Sequence, residues 1–131
     1  MSRILCVEDN EDSFFVLHRR LSRAGHEVKV ATNGLAGVDW AKTLQPDLIV
    51  MDLDLPRLNG WEATRRLKNQ PETKHIPIII LSSHSDQSSL DRALAAGCDA
   101  YHTKPADFHQ LVEEIQTLLN ARAMPSPDAP Q

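Results

Sequence analysis

The sequence predicts an open α/β fold in which helices cover both faces of a parallel sheet of five strands. Short apolar runs rich in β-branched residues alternate with longer segments of helical period, as in consecutive βαβ units. Two of the runs are apolar without interruption, which is typical of parallel strands buried on both faces. With 131 residues, the chain has the length of about one domain.

The apolar runs predict strands over residues 4–7, 28–31, 48–51, 76–81 and 100–103. The second run alternates with charged residues, as in Glu27-Val28-Lys29-Val30, and this pattern suits a strand at the edge of the sheet. The third and fourth runs are continuously apolar, so we expect them near its centre.

Five amphipathic helices are expected between and after the strands, because apolar residues recur there at helical spacing. These residues are Phe14, Leu17 and Leu21; Leu35, Val38 and Ala41; Ala63 and Leu67; Leu90, Ala93 and Leu94; and Phe108, Leu111, Val112, Ile115, Leu118 and Leu119. Of the adjacent Phe14 and Phe15, only one can face the core. We expect turns at Gly25, Gly34 and Gly97, and helix N-caps at Asp86 and Asp107. The domain is predicted to span residues 1–121, followed by a disordered proline-rich tail over 122–131.

Composition argues against several functional classes. A net charge of −4 argues against direct binding of nucleic acid. The apolar run at the N-terminus is too short for a signal peptide, and no segment approaches transmembrane length, so we expect no membrane association and a cytoplasmic location. Cys6 and Cys98 lack the spacing of metal ligands or redox pairs, which favours two reduced thiols.

Polar residues follow each predicted strand where the strand ends. They are Glu8 and Asp9, Thr32 and Asn33, Asp52, Ser82 and Ser83, and Thr103 and Lys104. The carboxyl ends of parallel strands meet at one edge of a sheet, and ligands bind there where the strand order reverses. If the first and third strands flank that point, Glu8, Asp9 and Asp52 converge.

Three carboxylates at one point require a shared cation, because each pair repels by about 4 kcal/mol at an effective dielectric near 20. Mg²⁺ is the expected cation, since it prefers oxygen ligands and keeps several waters. Lys104 and Ser82 would supply a second positive charge and a hydroxyl beside Asp52. Such parts hold a transferring phosphoryl group, so we expect Asp52 to be the nucleophile of an aspartyl-phosphate reaction.

Four segments carry a family resemblance: "VEDN" (7–10), "MDLDLPRLNGWE" (51–62), "PIIILSS" (77–83) and "YHTKP" (101–105). In this order and spacing they resemble a response-regulator receiver domain of the CheY-like superfamily, over residues 3–120. The resemblance implies a doubly wound, flavodoxin-like sheet with strand order 2-1-3-4-5. It also implies a single-domain response regulator of a two-component or phosphorelay system that signals by phosphorylation-dependent protein binding.

The resemblance further implies residue roles. Asp52 would accept a phosphoryl group from the phosphohistidine of a histidine kinase or histidine phosphotransfer protein. Asp9, Asp52 and the main-chain carbonyl of Asp54 would bind Mg²⁺, and Glu8 would act through bound water. Ser82 and Lys104 would hold the phosphoryl oxygens. Tyr101 would be the switch aromatic, and Lys104–Pro105 would be a cis peptide.

Asp54 and His84 stand two positions after Asp52 and Ser82, and the resemblance places them beside the water that hydrolyses the phosphoryl group. They would tune this hydrolysis. We expect them to orient the water, so that replacing both lengthens the phosphorylated lifetime; alternatively, the Asp54 charge protects the phosphoryl group, or both side chains only face solvent.

The resemblance also implies where partner proteins bind. A kinase or phosphotransfer protein would dock where the first helix and the loop after Lys104 rim the site, and a downstream target would bind the face of helix four, strand five and helix five. The chain would catalyse only its own phosphorylation and dephosphorylation.

Two alternatives remain. One is a haloacid-dehalogenase-type phosphohydrolase that uses Asp52 and Asp54, although that family carries this motif on its first strand and has a hydroxyl where this chain has Pro56. The other is a pseudo-receiver adaptor that is never phosphorylated, against which the intact set of Asp9, Asp52, Ser82 and Lys104 counts.

Overall fold

The computed structural model describes residues 2–123, which form five strands and five helices in strict alternation. The strands are β1 (Arg3–Val7), β2 (Glu27–Ala31), β3 (Leu48–Met51), β4 (Ile78–Ser82) and β5 (Ala100–Thr103). The helices are α1 (Glu11–Arg23), α2 (Gly34–Leu44), α3 (Gly60–Lys68), α4 (Gln87–Ala96) and α5 (Phe108–Ala123). The predicted tail over 122–131 lies largely outside the described residues, and α5 continues to Ala123.

All five strands pair in parallel in the order β2-β1-β3-β4-β5, which confirms the predicted sheet. The order reverses at β1, because the chain leaves β1 first for β2 on one side and later returns to β3 on the other. The register places Val7 opposite Met51, so the residues that follow these two strands are neighbours at the carboxyl edge. β2 is an edge strand, as its alternating charges predicted.

The sheet has an apolar cluster on each face. Side chains alternate along β1, so that Leu5 and Val7 pack with α2, α3 and α4, while Ile4 and Cys6 pack with α1 and α5. β3 and β4 are buried along their whole length, as continuously apolar strands require.

Each helix begins after an asparagine or aspartate whose side chain accepts a hydrogen bond from the backbone N–H three residues later. The capping residues are Asn10, Asn33, Asn59, Asp86 and Asp107. The predicted caps at Asp86 and Asp107 are therefore confirmed, and the three asparagine caps add to them.

The structure corrects three local predictions. β4 begins at Ile78, because the N–H of Ile76 closes a turn onto the Thr73 carbonyl, 3.0 Å away, before the strand starts. Gly34 is the first residue of α2 and lies in no turn. Leu35 and Leu94 are 37% and 54% exposed, because small residues of α2 and α4 are the ones that face the sheet.

Of the adjacent aromatic residues in α1, Phe15 is the exposed one, at 64%, and Phe14 is half-buried.

Both cysteines are free thiols. Burial is the main cause that raises the pKa of Cys6 to about 12, and the charge of Glu8 adds to it, which fits an unreactive thiol. In residues 2–123, no helix is long and apolar enough to cross a membrane.

Candidate functional site

The site lies where β1 and β3 end side by side. The backbone N–H of Asp52 donates to the Val7 carbonyl at 3.0 Å, and that of Glu8 donates to the Ala31 carbonyl at 2.9 Å, so both residues continue the sheet before the chain turns away. Glu8 and Asp52 are only 2% and 6% exposed. Two carboxylates are thus fixed at the bottom of one crevice.

Glu8, Asp9 and Asp52 form an acidic cluster in which one carboxylate oxygen of each lies within 4.8 Å of the others. Asp9 is exposed and closes the cluster on the solvent side. The Oε2 atom of Glu8 is buried without a hydrogen-bond partner among the described residues. An all-oxygen set with an unpaired buried acceptor fits a hard divalent cation.

Lys104 provides the positive charge of the crevice. Its Nζ lies 2.9 Å from Oε1 of Glu8 and 3.8 Å from Oδ1 of Asp52. The Lys104 N–H donates to the Ser82 carbonyl at 2.8 Å, and Lys104–Pro105 is a cis peptide, as the family resemblance implied. Lys104 therefore binds Glu8 more closely than Asp52, a pairing that the sequence did not predict.

The pKa of Glu8 is raised to about 7. Burial is the main cause, the neighbouring Asp52 adds to it, and Lys104 opposes it. A carboxyl group in this state exchanges its proton near neutral pH, so both a proton and a metal ion can neutralise the cluster.

Ser82 and Tyr101 both contact the loop between β4 and α4. The fully buried Oγ of Ser82 accepts a hydrogen bond from the His84 N–H at 3.0 Å. The half-buried Tyr101 hydroxyl donates to the His84 carbonyl at 2.6 Å. The backbone of His84 thus links the predicted phosphoryl-binding hydroxyl to the predicted switch aromatic.

The side chains of Asp54 and His84 contact each other. Nε2 of His84 lies 2.8 and 3.0 Å from the two carboxylate oxygens of Asp54, and the hydrogen bond raises the pKa of His84. The charge of Asp52 also acts on His84. Both side chains are partly exposed, at 58% for Asp54 and 34% for His84. They form a bridge between the β3–α3 and β4–α4 loops near Asp52.

Gly60 closes the β3–α3 loop against the site. Its N–H donates to the Leu53 carbonyl at 2.9 Å, and an added Cβ would lie 2.0 Å from the carbonyl oxygen of Asp52. Only glycine allows α3 to begin so close to the backbone of Asp52. The sequence analysis did not single out Gly60, although its place directly after the Asn59 cap was a signal.

An apolar groove of about 460 Å³ lies beside the crevice, between α1 and the loop after β5. It is lined mainly by Val16, Leu17, Pro105, Ala106 and Phe108, and Lys104 reaches it from the site. Val16 is 40% exposed next to the exposed Phe15, so this side of the site presents apolar surface to solvent.

Other polar residues at the strand ends have structural roles or face solvent. Asn33 caps α2, and the side chains of Thr32, Ser83 and Thr103 are exposed. Trp61 was not predicted as part of the site, yet its ring lies 5.4 Å from that of His84. The sequence offered no signal for this contact between the start of α3 and the β4–α4 loop.

Comparison with known proteins agrees with this geometry. The model of the response regulator receiver domain family matches residues 4–116. The protein PilH of Pseudomonas aeruginosa is 37% identical over 119 residues, which cover 91% of this chain and 98% of PilH. The polar-differentiation response regulator DivK of Brucella anthropi is 34% identical over 116 residues, covering 88% of this chain and 94% of DivK.

Solved structures share the whole fold. The receiver domain of a signal transduction histidine kinase from Syntrophus aciditrophicus superposes with a TM-score of 0.89 at 30% identity, covering 99% of this chain and 98% of that one. The receiver domain of a sensor histidine kinase from Pseudomonas aeruginosa gives a TM-score of 0.85 at 32% identity, covering 91% and 98%. That crystal structure holds a magnesium ion in its active site cleft.

Proposed function

The chain belongs to the response regulator receiver domain family, and on that premise we propose that Asp52 accepts a phosphoryl group from a phosphohistidine donor. The observation that carries the proposal is the convergence of Glu8, Asp9, Asp52 and Lys104 at the carboxyl edge of the sheet, with Glu8 and Asp52 buried. A receiver acts in phosphorelay signalling, and here Asp52 is the carboxylate that reaches the crevice from its central strand.

In this reaction an Oδ of Asp52 attacks the phosphorus, the P–N bond of the donor breaks, and the histidine leaves as neutral imidazole after it takes up a proton. Asp52 is positioned because its backbone continues β3, and its side chain is 6% exposed. Lys104 lies close enough to stabilise negative charge on the phosphoryl oxygens. Ser82 would bind another of these oxygens once its hydroxyl leaves the His84 N–H.

The acidic cluster would hold Mg²⁺ through Asp9, Asp52 and the main-chain carbonyl of Asp54, with Glu8 beside it. Bound there, the ion would offset the charge of the attacking carboxylate and of the phosphoryl oxygens. The unpaired Oε2 of buried Glu8 supports this assignment. The ion that the Pseudomonas aeruginosa receiver holds in its cleft supports it as well.

We propose that the apolar groove between α1 and the loop after β5 receives the kinase or histidine phosphotransfer partner. The groove adjoins Lys104, and the exposed Phe15 and Val16 extend its apolar surface. A partner helix seated there would bring its phosphohistidine next to Asp52. The downstream target would bind the face of α4, β5 and α5, where Leu94 is 54% exposed.

We also propose that the bridge between Asp54 and His84 slows hydrolysis of the phosphoryl group. From the sequence, these groups are expected to orient water, but Nε2 of His84 and the carboxylate of Asp54 are hydrogen-bonded to each other. This contact favours protection of the phosphoryl group over orientation of water, and we attribute the protection to the Asp54–His84 pair, not to the charge of Asp54 alone.

The function is tested by incubating the protein with acetyl phosphate and Mg²⁺ and measuring its intact mass. We expect a gain of one phosphoryl group in the wild type and none in Asp52→Asn, which keeps the shape of the side chain. A gain in Asp52→Asn would place the phosphoryl group elsewhere. No gain in the wild type would favour a pseudo-receiver, and continuous release of phosphate from added phosphate esters would favour a phosphohydrolase.

A further inference from the structure

We propose that Trp61 is a positioning residue that holds His84 in its bridge to Asp54 and thereby sets the lifetime of the phosphoryl group on Asp52. The inference rests on the proposed function, since it concerns the aspartyl phosphate. It adds a residue of α3 that lies outside the crevice.

The side chain of His84 contacts Asp54 and Trp61, and both contacts restrain it. On one side Nε2 bonds the Asp54 carboxylate, and on the other the Trp61 ring packs at a centroid distance of 5.4 Å with an angle of 56° between the rings. The hydrogen bonds of Ser82 and Tyr101 to His84 are made with its backbone. The exposed hydrogen bond is weakened by competition with water, so the aromatic contact is what keeps the imidazole in one position.

Trp61 is itself fixed by α4. Its indole N–H donates to the Ser89 carbonyl at 3.2 Å, and the guanidinium carbon of Arg92 lies 4.3 Å from the ring centroid. A tryptophan held by a hydrogen bond and a cation–π contact loses little further freedom when it packs on His84. The contacts therefore run without a gap from Arg92 through Trp61 and His84 to Asp54.

This chain of contacts bears on hydrolysis. A water attacks the phosphorus, the bond between phosphorus and the Asp52 oxygen breaks, inorganic phosphate leaves and the carboxylate is restored. The water must approach opposite the breaking bond. Asp54 and His84 extend from the loops that follow Asp52 and Ser82, and their bridge limits that approach. Without Trp61, the imidazole rotates away more often and the path to phosphorus opens.

The test phosphorylates the protein with acetyl phosphate, removes the donor, and measures first-order loss of the phosphoryl group at a fixed Mg²⁺ concentration. We expect Trp61→Ala to decay about threefold faster or more, since an aromatic contact of this kind is lost. Trp61→Phe keeps a ring over His84 and should stay within about twofold of the wild type. Trp40→Ala, which removes the exposed tryptophan of α2, should decay as the wild type does.

A double-mutant cycle separates positioning from a general structural effect. In a His84→Ala background, Trp61→Ala should cause no further acceleration, because the residue that it positions is gone. Arg92→Ala, an exposed change that preserves the core, should accelerate decay to a smaller extent and only when His84 is present. This variant keeps the inference testable if Trp61→Ala fails to fold.

Decay at the wild-type rate in both Trp61→Ala and Arg92→Ala would overturn the inference and leave the proposed function intact. The same conclusion would follow if Trp61→Ala accelerated decay equally with and without His84. Failure of the wild type to be phosphorylated would overturn the proposed function, and this inference with it.

Discussion

The site has two regions that differ in burial. The floor consists of Glu8, Asp52 and Lys104, in which both carboxylates are nearly inaccessible to solvent and the lysine side chain is 24% exposed. The rim consists of Asp54, His84 and Trp61, which lie on the β3–α3 loop, the β4–α4 loop and the first turn of α3 and remain partly exposed. Charges in the floor interact strongly because water is excluded, whereas those in the rim are screened.

The difference in burial indicates that the two regions have different functions. A buried charge without its partner is costly, so the floor tolerates little change and determines whether Asp52 is phosphorylated. An exposed pair contributes little to folding, so the rim can vary without loss of the fold and adjusts how long the phosphoryl group stays. Five predictions test this comparison.

The largest effect is expected in the floor. Lys104→Ala should slow phosphorylation by acetyl phosphate about 100-fold, because it removes a cation that stabilises developing charge in a crevice that excludes water. The measurement is the initial rate of mass gain. Lys42→Ala, an exposed lysine of α2, is the matched control and should leave the rate unchanged. A rate within twofold of the wild type in Lys104→Ala would contradict the role of the floor.

Removal of the metal should also affect the floor. Mg²⁺ at ~100 times its dissociation constant should raise the free energy of unfolding by about 2.7 kcal/mol, since it relieves repulsion among Glu8, Asp9 and Asp52. Chemical denaturation with and without Mg²⁺ measures the shift. Asp9→Ala should lose most of it, while Asp39→Ala on α2 should keep it. An equal shift in Asp9→Ala would place the ion elsewhere.

Gly60 joins the two regions, so Gly60→Ala should disturb both. The new Cβ meets the Asp52 carbonyl oxygen, and we expect a loss of about 1–3 kcal/mol in the free energy of unfolding together with slower phosphorylation. Gly25→Ala is the control: it strains a turn with positive φ but meets nothing within 4 Å. It should lower stability without changing phosphorylation. Equal phosphorylation rates in the two variants would show that the site tolerates movement of its loop.

The floor should also make stability depend on pH. The folded-state pKa of Glu8, about 7, lies above the ordinary value of 4.5, so the folded protein binds more protons than the unfolded chain between these values. This contribution to stability is present below pH 4.5 and is lost as pH rises through 7. Without Mg²⁺, the free energy of unfolding of the wild type should fall relative to Glu8→Gln between pH 5 and 8. A constant difference would mean that Glu8 titrates normally.

Burial also explains what the sequence could predict. The strands were predictable because continuous apolar runs have few alternatives, and the floor residues because they follow those runs at one edge of a parallel sheet. Besides the start of β4 and the turn at Gly34, the wrong assignments were apolar residues on helix surfaces. Leu35 and Leu94 fit a helical apolar period but are exposed, because Gly37 and Ala93 allow closer packing on the sheet.

The contacts among the rim residues could not be predicted from the sequence. Asp54 and His84 were placed near the water only through the family resemblance, and their mutual hydrogen bond joins residues 30 positions apart. The contact of Trp61 with His84 depends on how α3 and the β4–α4 loop pack. Local sequence pattern carries no information on such pairs. The same holds in the floor for the preference of Lys104 for Glu8.

The division between floor and rim is tested most directly by one time course on His84→Ala, which follows phosphoryl gain with acetyl phosphate and then its loss after the donor is removed. The account predicts a rate of gain equal to that of the wild type and a decay about threefold faster or more, since one exposed hydrogen bond and one aromatic contact are lost. Slower or unchanged decay, or a rate of gain that falls along with stability, would contradict it.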